Sequence, residues 1–400
     1  MSVLNLLLAA LILAYLFSEI AKRFHAPRVV GQIFAGVILG VFYRPILVGE
    51  ASAAFTNLAD IGIILLFFFT GLEVNLREFQ RHFKSSILVS ILNTAIPFSL
   101  GVACAHLFGF SIVEAIVIGI CLSVSSTAIS LDFLEEFGLL KTKIGNLIVT
   151  IGAVDDFLEL IFISIIVTFL QVSLGGGELQ MLVVGMFAFI GVAFIARYMI
   201  VPFALNVIQK EHSRASLFMM SLILTLSMAT ISELLGLGTL IGALIAGVLI
   251  RHTLLTGTTR KPWEEHEISQ VIHTVSFGFL VPIFFIWVGY QADLNSIFSN
   301  PLLSIALPII AIFGTVVGTA IAMRYNKSSW EEGMLVGWGV TAKGDVELVV
   351  AAIALQKGLI SAEVFSALIF MAFVTTLVAP IVFRQMIQNK VLLHKISGRA

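Results

Sequence analysis

Long apolar segments, joined by short polar loops, recur along the whole sequence and restrict it to membrane-spanning architectures. A helix of ~20 apolar residues crosses the ~30 Å hydrocarbon core of a bilayer. Backbone in that core must satisfy its own hydrogen bonds, so we predict an all-α polytopic membrane protein. The thirteen segments lie at approximately 3–21, 29–43, 53–72, 85–108, 111–132, 145–170, 179–205, 215–235, 238–251, 268–290, 300–323, 332–356 and 362–386.

The composition supports this class and argues against others. Hydrophobic residues make up 59% of the chain and charged residues 12%, whereas soluble domains average ~45–50% and ~25%. The net charge of −1 argues against a nucleic-acid partner. Cys104 and Cys121 both lie in apolar segments and give no support to a disulfide framework. We therefore expect the chain to be surrounded by membrane lipid and to have no nucleic-acid partner.

The basic residues indicate how the chain crosses the membrane. Nineteen of the 23 lysines and arginines fall in odd-numbered loops or in the C-terminal tail, whereas the even-numbered loops hold only Arg44 and Lys357. Arg197 and Lys343 lie within spans. Because basic residues concentrate in cytoplasmic loops, we expect the N-terminus outside and the C-terminus in the cytoplasm.

Two spans carry polar residues that predict interrupted helices. The fifth contains four serines and a threonine between Ser123 and Ser130, and the twelfth contains a lysine, a glycine and two acids between Thr341 and Glu347. The two spans lie seven apart, so they cross the membrane in opposite directions. Interrupted helices at matching places in two inverted halves are typical of a transporter's binding site.

Glycines also recur in the second span, at Gly31, Gly36 and Gly40, and in the ninth, at Gly238, Gly242 and Gly247. Small residues let helices approach closely. The pattern predicts either a helix-packing face or a dimer face.

Two adjacent carboxylates, Asp155 and Asp156, lie in the middle of the sixth span. A charge at the bilayer centre costs at least ~2.5–3.5 kcal/mol, so these acids are expected to face protein or water. Two neighbouring carboxylates in a low dielectric repel each other and share protons as a pair. Glu159, one turn further on, is interpreted as a relay rather than a direct ligand, and Glu73 at a membrane edge as a helix-end residue or a further relay.

These motifs together resemble the monovalent cation:proton antiporters of the sodium/proton exchanger superfamily, in the branch that includes Kef-type and NapA-type exchangers. The resemblance covers nearly the whole chain. Its pieces are Pro27-Arg-Val-Val-Gly31, Phe69-Thr-Gly-Leu-Glu73, Ser125-Ser-Thr-Ala128, Asp155-Asp156, Gly242-Ala243 with Ala246-Gly247, Pro282-Ile-Phe-Phe285 with Val288-Gly289, and Lys343-Gly-Asp345, where the family often has Arg-Gly-Glu.

The resemblance implies the sodium/proton antiporter fold, with inverted repeats and two crossing broken helices, in a homodimer in a bacterial cell membrane. It implies one transporter domain over residues 1–400. Its dimerisation part would cover approximately 1–82 and 210–295, its core approximately 83–172 and 298–388, and a linking helix 173–209. Family members exchange Na⁺, Li⁺ or K⁺ for protons by alternating access, and we expect no cofactor.

The resemblance also assigns roles to individual residues. Asp156 is expected to be the principal Na⁺ ligand and Asp155 the second. Thr127, Ser126 and nearby backbone carbonyls are expected to complete the shell, although serines and threonines in spans also bond back to their own helix. Three charged residues of the second break are expected to steady the broken-helix dipoles rather than to bind the ion; these are Lys343, Asp345 and Glu347.

One position departs from the family pattern. Electrogenic members commonly carry Gly-Lys-x-x-Gly before the second broken helix, and that lysine pairs with an aspartate. Here the run is Gly314-Thr-Val-Val-Gly318, so Thr315 replaces the lysine. The resemblance then favours one-for-one, electroneutral exchange, with Lys343 as the residue that would have to substitute for the missing lysine.

Several alternatives stay open at this point. K⁺/H⁺ exchange or K⁺ efflux on the same fold differs only in ion identity, and the adjacent aspartates favour Na⁺ by resemblance. The lack of a C-terminal nucleotide-binding domain argues against Kef-type ligand gating. An intramembrane aspartyl protease also needs two membrane-depth acids, but Gly344-Asp345 lacks the expected Gly-x-Gly-Asp pattern. A channel of the same fold is a third possibility.

Overall fold

The computed structural model describes residues 3–23, 26–43, 50–73, 76–140, 142, 144–152, 154–155, 179–203, 214–256, 270, 272–344 and 346–388. Within these ranges the chain is a series of helices joined by turns, and seven of the helices are long and apolar enough to cross a membrane. Further apolar helices are shorter, among them the pieces of the interrupted spans. The prediction of an all-α polytopic fold is confirmed.

The helices follow the predicted spans closely. In chain order they are α1 (Val3–Arg23), α2 (Arg28–Tyr43), α3 (Glu50–Glu73), α4 (Leu76–Leu107), α5 (Ile112–Ser123), α6 (Thr127–Glu136), α7 (residues 144–152 and 154–155), α8 (Leu179–Ile195, extended by a π-helical turn at Ala196–Ile200), α9 (Arg214–Leu234), α10 (Thr239–Thr256), α11 (Val281–Gln291, preceded by a π-helical turn at Ser276–Leu280), α12 (Leu294–Ser299), α13 (Pro301–Tyr325), α14 (Trp330–Gly339), α15 (Val346–Gln356) and α16 (Ala362–Gln388).

Local sequence explains where several of these helices begin. Ser111 and Glu114 form a capping box at the start of α5, and Ser329 and Glu332 form another at the start of α14. Each box satisfies two backbone N–H groups that a helix start otherwise leaves unbonded. Asn300 caps α13, whose first residue is a proline. Such caps fix the starts of the first piece of each interrupted span and of α13.

The described helices pack in two groups. In the first, α3 packs on α10 and α11, α2 on α1 and α11, and α9 on α10. In the second, α4 packs on α5 and α13, α13 on α14 and α16, and α15 on α5 and α16. The contact between α11 and α16 is one of the smaller connections between the two groups.

Glycines allow the closest of these helix crossings. A Cβ on Gly36 of α2 would lie 2.1 Å from the Ile286 carbonyl oxygen of α11, and one on Gly289 would lie 2.0 Å from the Ile33 carbonyl oxygen. In the same way Gly247 of α10 meets the backbone of α3 at Phe68. The glycines of the second and ninth spans therefore form helix-packing faces within one chain.

Candidate functional site

The two interrupted spans cross at their breaks. The first break separates α5 from α6 at residues 124–126, and the second follows α14 at Val340. At the crossing, the Ser126 backbone N–H donates to the Ala342 carbonyl oxygen at 2.8 Å. Ser126 also caps α6, because its hydroxyl accepts from the Ile129 backbone N–H at 3.4 Å. The predicted pair of crossing broken helices is confirmed.

Lys343 lies in the second break and reaches across to the first. Its side chain is fully buried, and its Nζ donates to the Val124 carbonyl oxygen, at the C-terminal end of α5, at 2.6 Å. The Thr376 hydroxyl of α16 donates to the Lys343 carbonyl oxygen. A cation at a helix C-terminus interacts favourably with the helix dipole and with the last carbonyls. Lys343 thus sits where α5 presents its negative end.

Glu347 occupies the first turn of α15 and is almost completely buried, with 1% of its surface exposed. Its backbone carbonyl lies 3.5 Å from the Cys121 sulfur of α5. A carboxylate in the first turn of a helix is stabilised by the positive end of the helix dipole. Glu347 and Lys343 therefore sit at half-helix ends of opposite polarity.

Asp155 is fully buried on α7 and faces α4. The Ser90 hydroxyl donates to Asp155 Oδ1, and the Asn93 Nδ2 donates to Asp155 Oδ2 at 2.7 Å. Both donors are neutral. Hydrogen bonds to an ionised group contribute about 1.5–3 kcal/mol each, and a buried carboxylate needs them. Lys343 is near enough to Asp155 for their charges to interact.

Asn93 joins Asp155 to two further elements. Its Nδ2 lies 3.5 Å from the Ser125 hydroxyl oxygen in the first break, and its Oδ1 accepts from the Thr319 hydroxyl of α13 at 3.4 Å. One amide side chain therefore connects α4, α7, α13 and the break between α5 and α6. Such a network restricts the orientation of the Asp155 carboxylate.

Thr127, the first residue of α6, lies against α7 through a glycine. A Cβ on Gly152 would lie 2.7 Å from the Thr127 hydroxyl oxygen and 2.8 Å from its methyl carbon. Gly152 precedes Asp155 by three residues, so both lie on one side of α7. Because Gly152 has no side chain, the start of α6 can approach α7, the helix that carries Asp155.

Thr315 lies one turn before Thr319 on α13 and is fully buried. Its hydroxyl has no hydrogen-bond partner among the described residues. Three other predicted residues, Asp156, Glu159 and Asp345, lie outside the described residues. Glu73 is described only as the last residue of α3.

Sequence reasoning missed the donors that hold Asp155. Ser90 and Asn93 are polar residues three apart inside the apolar fourth span, which places them on one helix face. That spacing was the available signal. It identified a polar face but not its partner, because Asp155 is 62 residues further along the chain than Asn93.

Comparison with known proteins gives consistent results. The family described as the transmembrane sodium/hydrogen exchanger matches residues 7–389. A Na⁺/H⁺ antiporter of Enterococcus hirae is 28% identical over 96% of this chain and 98% of its own. The Na⁺/H⁺-K⁺ antiporter GerN of Bacillus cereus is 26% identical over 91% of each chain.

A solved structure has the same fold. It is that of the sodium proton antiporter MjNhaP1 from Methanocaldococcus jannaschii at pH 8, which superposes with a TM-score of 0.67 over 98% of both chains. The sequences are 15% identical in this comparison, so the likeness concerns the fold.

Proposed function

Because this chain belongs to the sodium/hydrogen exchanger family, we propose that it is a secondary antiporter that exchanges Na⁺ for protons across a cell membrane. The observation that carries the proposal is the fully buried Asp155, which lies beside the crossing of two broken helices. An ionisable residue inside a membrane protein normally marks an ion or proton pathway. Family membership makes the protein a transporter, so the aspartyl protease alternative is set aside.

The ion would bind at the aspartate pair. Asp156 is proposed as the principal ligand, with Asp155, Thr127, Ser126 and backbone carbonyls of the first break as further oxygen donors. The contact of Gly152 with Thr127 supports this shell, since it brings the break to the acidic helix. A proton and Na⁺ then compete for the same carboxylate oxygens, which couples the two fluxes.

We further propose one-for-one, electroneutral exchange. If one proton or one Na⁺ alternately occupies the pair, the net charge of the pair is −1 in both states. The described donors to Asp155, Ser90 and Asn93, are neutral, and Thr315 stands where electrogenic relatives are expected to carry a lysine. Lys343 donates to the end of α5, which supports a structural role for its charge.

The division of the helices supports alternating access in a dimer. The group that contains α4, α5, α13 and α16 corresponds to the proposed moving core, and the group that contains α2, α3, α10 and α11 to the proposed dimerisation part. The distribution of basic residues supports an outer N-terminus and a cytoplasmic C-terminus. Glu73 and Glu159 remain proposed relays.

Ion identity has one competing candidate. The relative from Enterococcus hirae is named a Na⁺/H⁺ antiporter, whereas GerN is named a Na⁺/H⁺-K⁺ antiporter. We favour Na⁺ because two adjacent aspartates offer a compact set of hard oxygen ligands, and we keep K⁺ as the alternative.

The test is proton flux in proteoliposomes that hold a pH gradient. Na⁺, Li⁺, K⁺ and choline are added separately, with and without a clamped membrane potential. We expect Na⁺ to dissipate the gradient at the same rate in both conditions, and choline to have no effect. Failure of all three alkali cations would contradict antiport, and a K⁺ response that exceeds the Na⁺ response would select the alternative.

A further inference from the structure

Arg197 is a basic residue inside an apolar span that the proposed transport site does not use. It lies in the π-helical turn Ala196–Ile200 that extends α8, where the Val201 N–H bonds to the Ala196 carbonyl oxygen. Such turns are rare and occur frequently at functional sites. The turn packs against α10. This packing fixes the position of Arg197 beside α10.

The described contacts of Arg197 leave its positive charge uncompensated. Its Nη2 lies 3.2 Å from the Nε2 of His252 on α10, and its guanidinium lies 5.2 Å from the centre of the Tyr198 ring. An arginine can only donate hydrogen bonds and a histidine side chain carries no negative charge, so this contact does not neutralise the guanidinium. Among the described residues, Arg197 has no carboxylate partner. An ion pair between side chains is seen there for Arg28, which lies 3.9 Å from Glu19.

The surface around Arg197 is apolar and exposed. Four neighbours on the same helix expose 57% to 69% of their surface; these are Phe194, Tyr198, Met199 and Phe203. Arg197 itself is half-buried. The predicted seventh span ends near residue 205, about 12 Å beyond Arg197 at a rise of 1.5 Å per residue. An arginine at this distance from the end of a span can extend its side chain toward the boundary between acyl chains and headgroups, where amphipathic tyrosines are also enriched.

We propose that Arg197, with His252 and Tyr198, binds the phosphate of an anionic phospholipid headgroup. The planar guanidinium matches phosphate geometry. The exposed phenylalanines and the methionine would contact the acyl chains, which a soluble anion lacks. Arg251, next to His252 on α10, donates from its Nη1 to the Leu72 carbonyl oxygen of α3 at 2.7 Å and places a second positive charge at the same end of α10. Basic pockets between spans are known to select such headgroups.

The proposal is independent of the transport mechanism, so binding is measured directly. The purified full-length protein in a neutral detergent is titrated with phosphatidylglycerol, with phosphatidylcholine and with inorganic phosphate, and retained lipid is counted by native mass spectrometry. We expect about a five- to tenfold preference for phosphatidylglycerol over phosphatidylcholine, and no competition by inorganic phosphate at the same concentration.

Three variants distinguish this site from a general effect of charge. Arg197→Gln should abolish the preference, whereas Arg324→Gln, which removes one exposed arginine of the same charge, should keep it. Arg197→Lys should retain part of it, because lysine keeps the charge but loses the planar fork. The melting temperature without lipid should be the same in the wild type and in Arg197→Lys.

Three results would overturn the proposal. One is a wild-type preference that persists in Arg197→Gln. Another is displacement of phosphatidylglycerol by inorganic phosphate, which would assign the site to a free anion. The third is conversion of a dimer to monomers by Arg197→Gln in lipid-free detergent, which would assign this surface to contact with a second copy of the chain.

Discussion

The two broken helices cross at one point but differ in charge. The first break, at residues 124–126, contains two serines and a valine, whereas the second carries Lys343 and leads into Glu347. Lys343 crosses to the first break and bonds to the Val124 carbonyl oxygen. The second break therefore supplies the positive charge for the negative end of α5, while the first offers hydroxyl and carbonyl oxygens. This difference is why we propose structural electrostatics for the second break and ion binding for the first.

Replacement of Lys343 should have the largest effect. Lys343→Met keeps most of the volume but leaves a buried carbonyl unbonded and removes the positive charge near Asp155. A buried acceptor left unbonded costs about 1–3 kcal/mol, and the loss of the positive charge adds to this cost. We expect a strong fall in melting temperature in detergent, together with loss of exchange. The matched control is Lys357→Met, which removes an exposed lysine. Equal melting temperatures for both variants would contradict the role of Lys343.

A cation added near Asp155 should change the charge carried per cycle. Thr315 is fully buried, one turn from Thr319, and Thr319 donates to Asn93. In Thr315→Lys the new amine would release a proton as the ion binds. We expect exchange that becomes sensitive to membrane potential and a transport current on a solid-supported membrane, where the wild type gives none. A wild-type current that scales with Na⁺ would contradict electroneutral exchange.

Loss of a neutral donor should have an intermediate effect. Asn93→Ala removes the 2.7 Å bond to Asp155 and both weaker contacts of the amide. Loss of a hydrogen bond to a charged group costs about 1.5–3 kcal/mol, or roughly a 10- to 150-fold change in an equilibrium constant. We expect Na⁺-dependent flux to fall within that range. Ser99→Ala on the same helix removes an exposed hydroxyl and should have no effect.

The smallest effect is expected where a helix contact is widened. In Gly152→Ala the new methyl group would meet Thr127 at about 2.7 Å, so α7 and the first break must separate slightly. Overpacking typically costs about 1–3 kcal/mol, and relaxation at a helix end reduces this. We expect weaker apparent Na⁺ affinity with a nearly unchanged maximal rate. An unchanged affinity would mean that Thr127 is not a ligand.

Sequence alone predicted the parts of this arrangement that depend on composition along one span. Serines and a lysine in apolar runs identified both breaks, and the family resemblance implied that the two broken helices cross. The partners of Asp155 depend on how α4 packs against α7, which a single span does not encode. Likewise, the glycines of α2 and α10 predicted a close approach but not whether it lay within the chain or between two copies. The contact of Lys343 with Val124 also required the structure.

The most direct test of the account is Na⁺-driven proton flux after the aspartates are neutralised. Asp155→Asn, Asp156→Asn and the double variant keep the size of the side chains and remove their charges. We predict that Asp156→Asn and the double variant lose Na⁺-dependent flux completely in proteoliposomes. Their melting temperatures should show that both variants remain folded. Flux in the double variant at the wild-type rate would contradict the assignment of ion and proton binding to this pair.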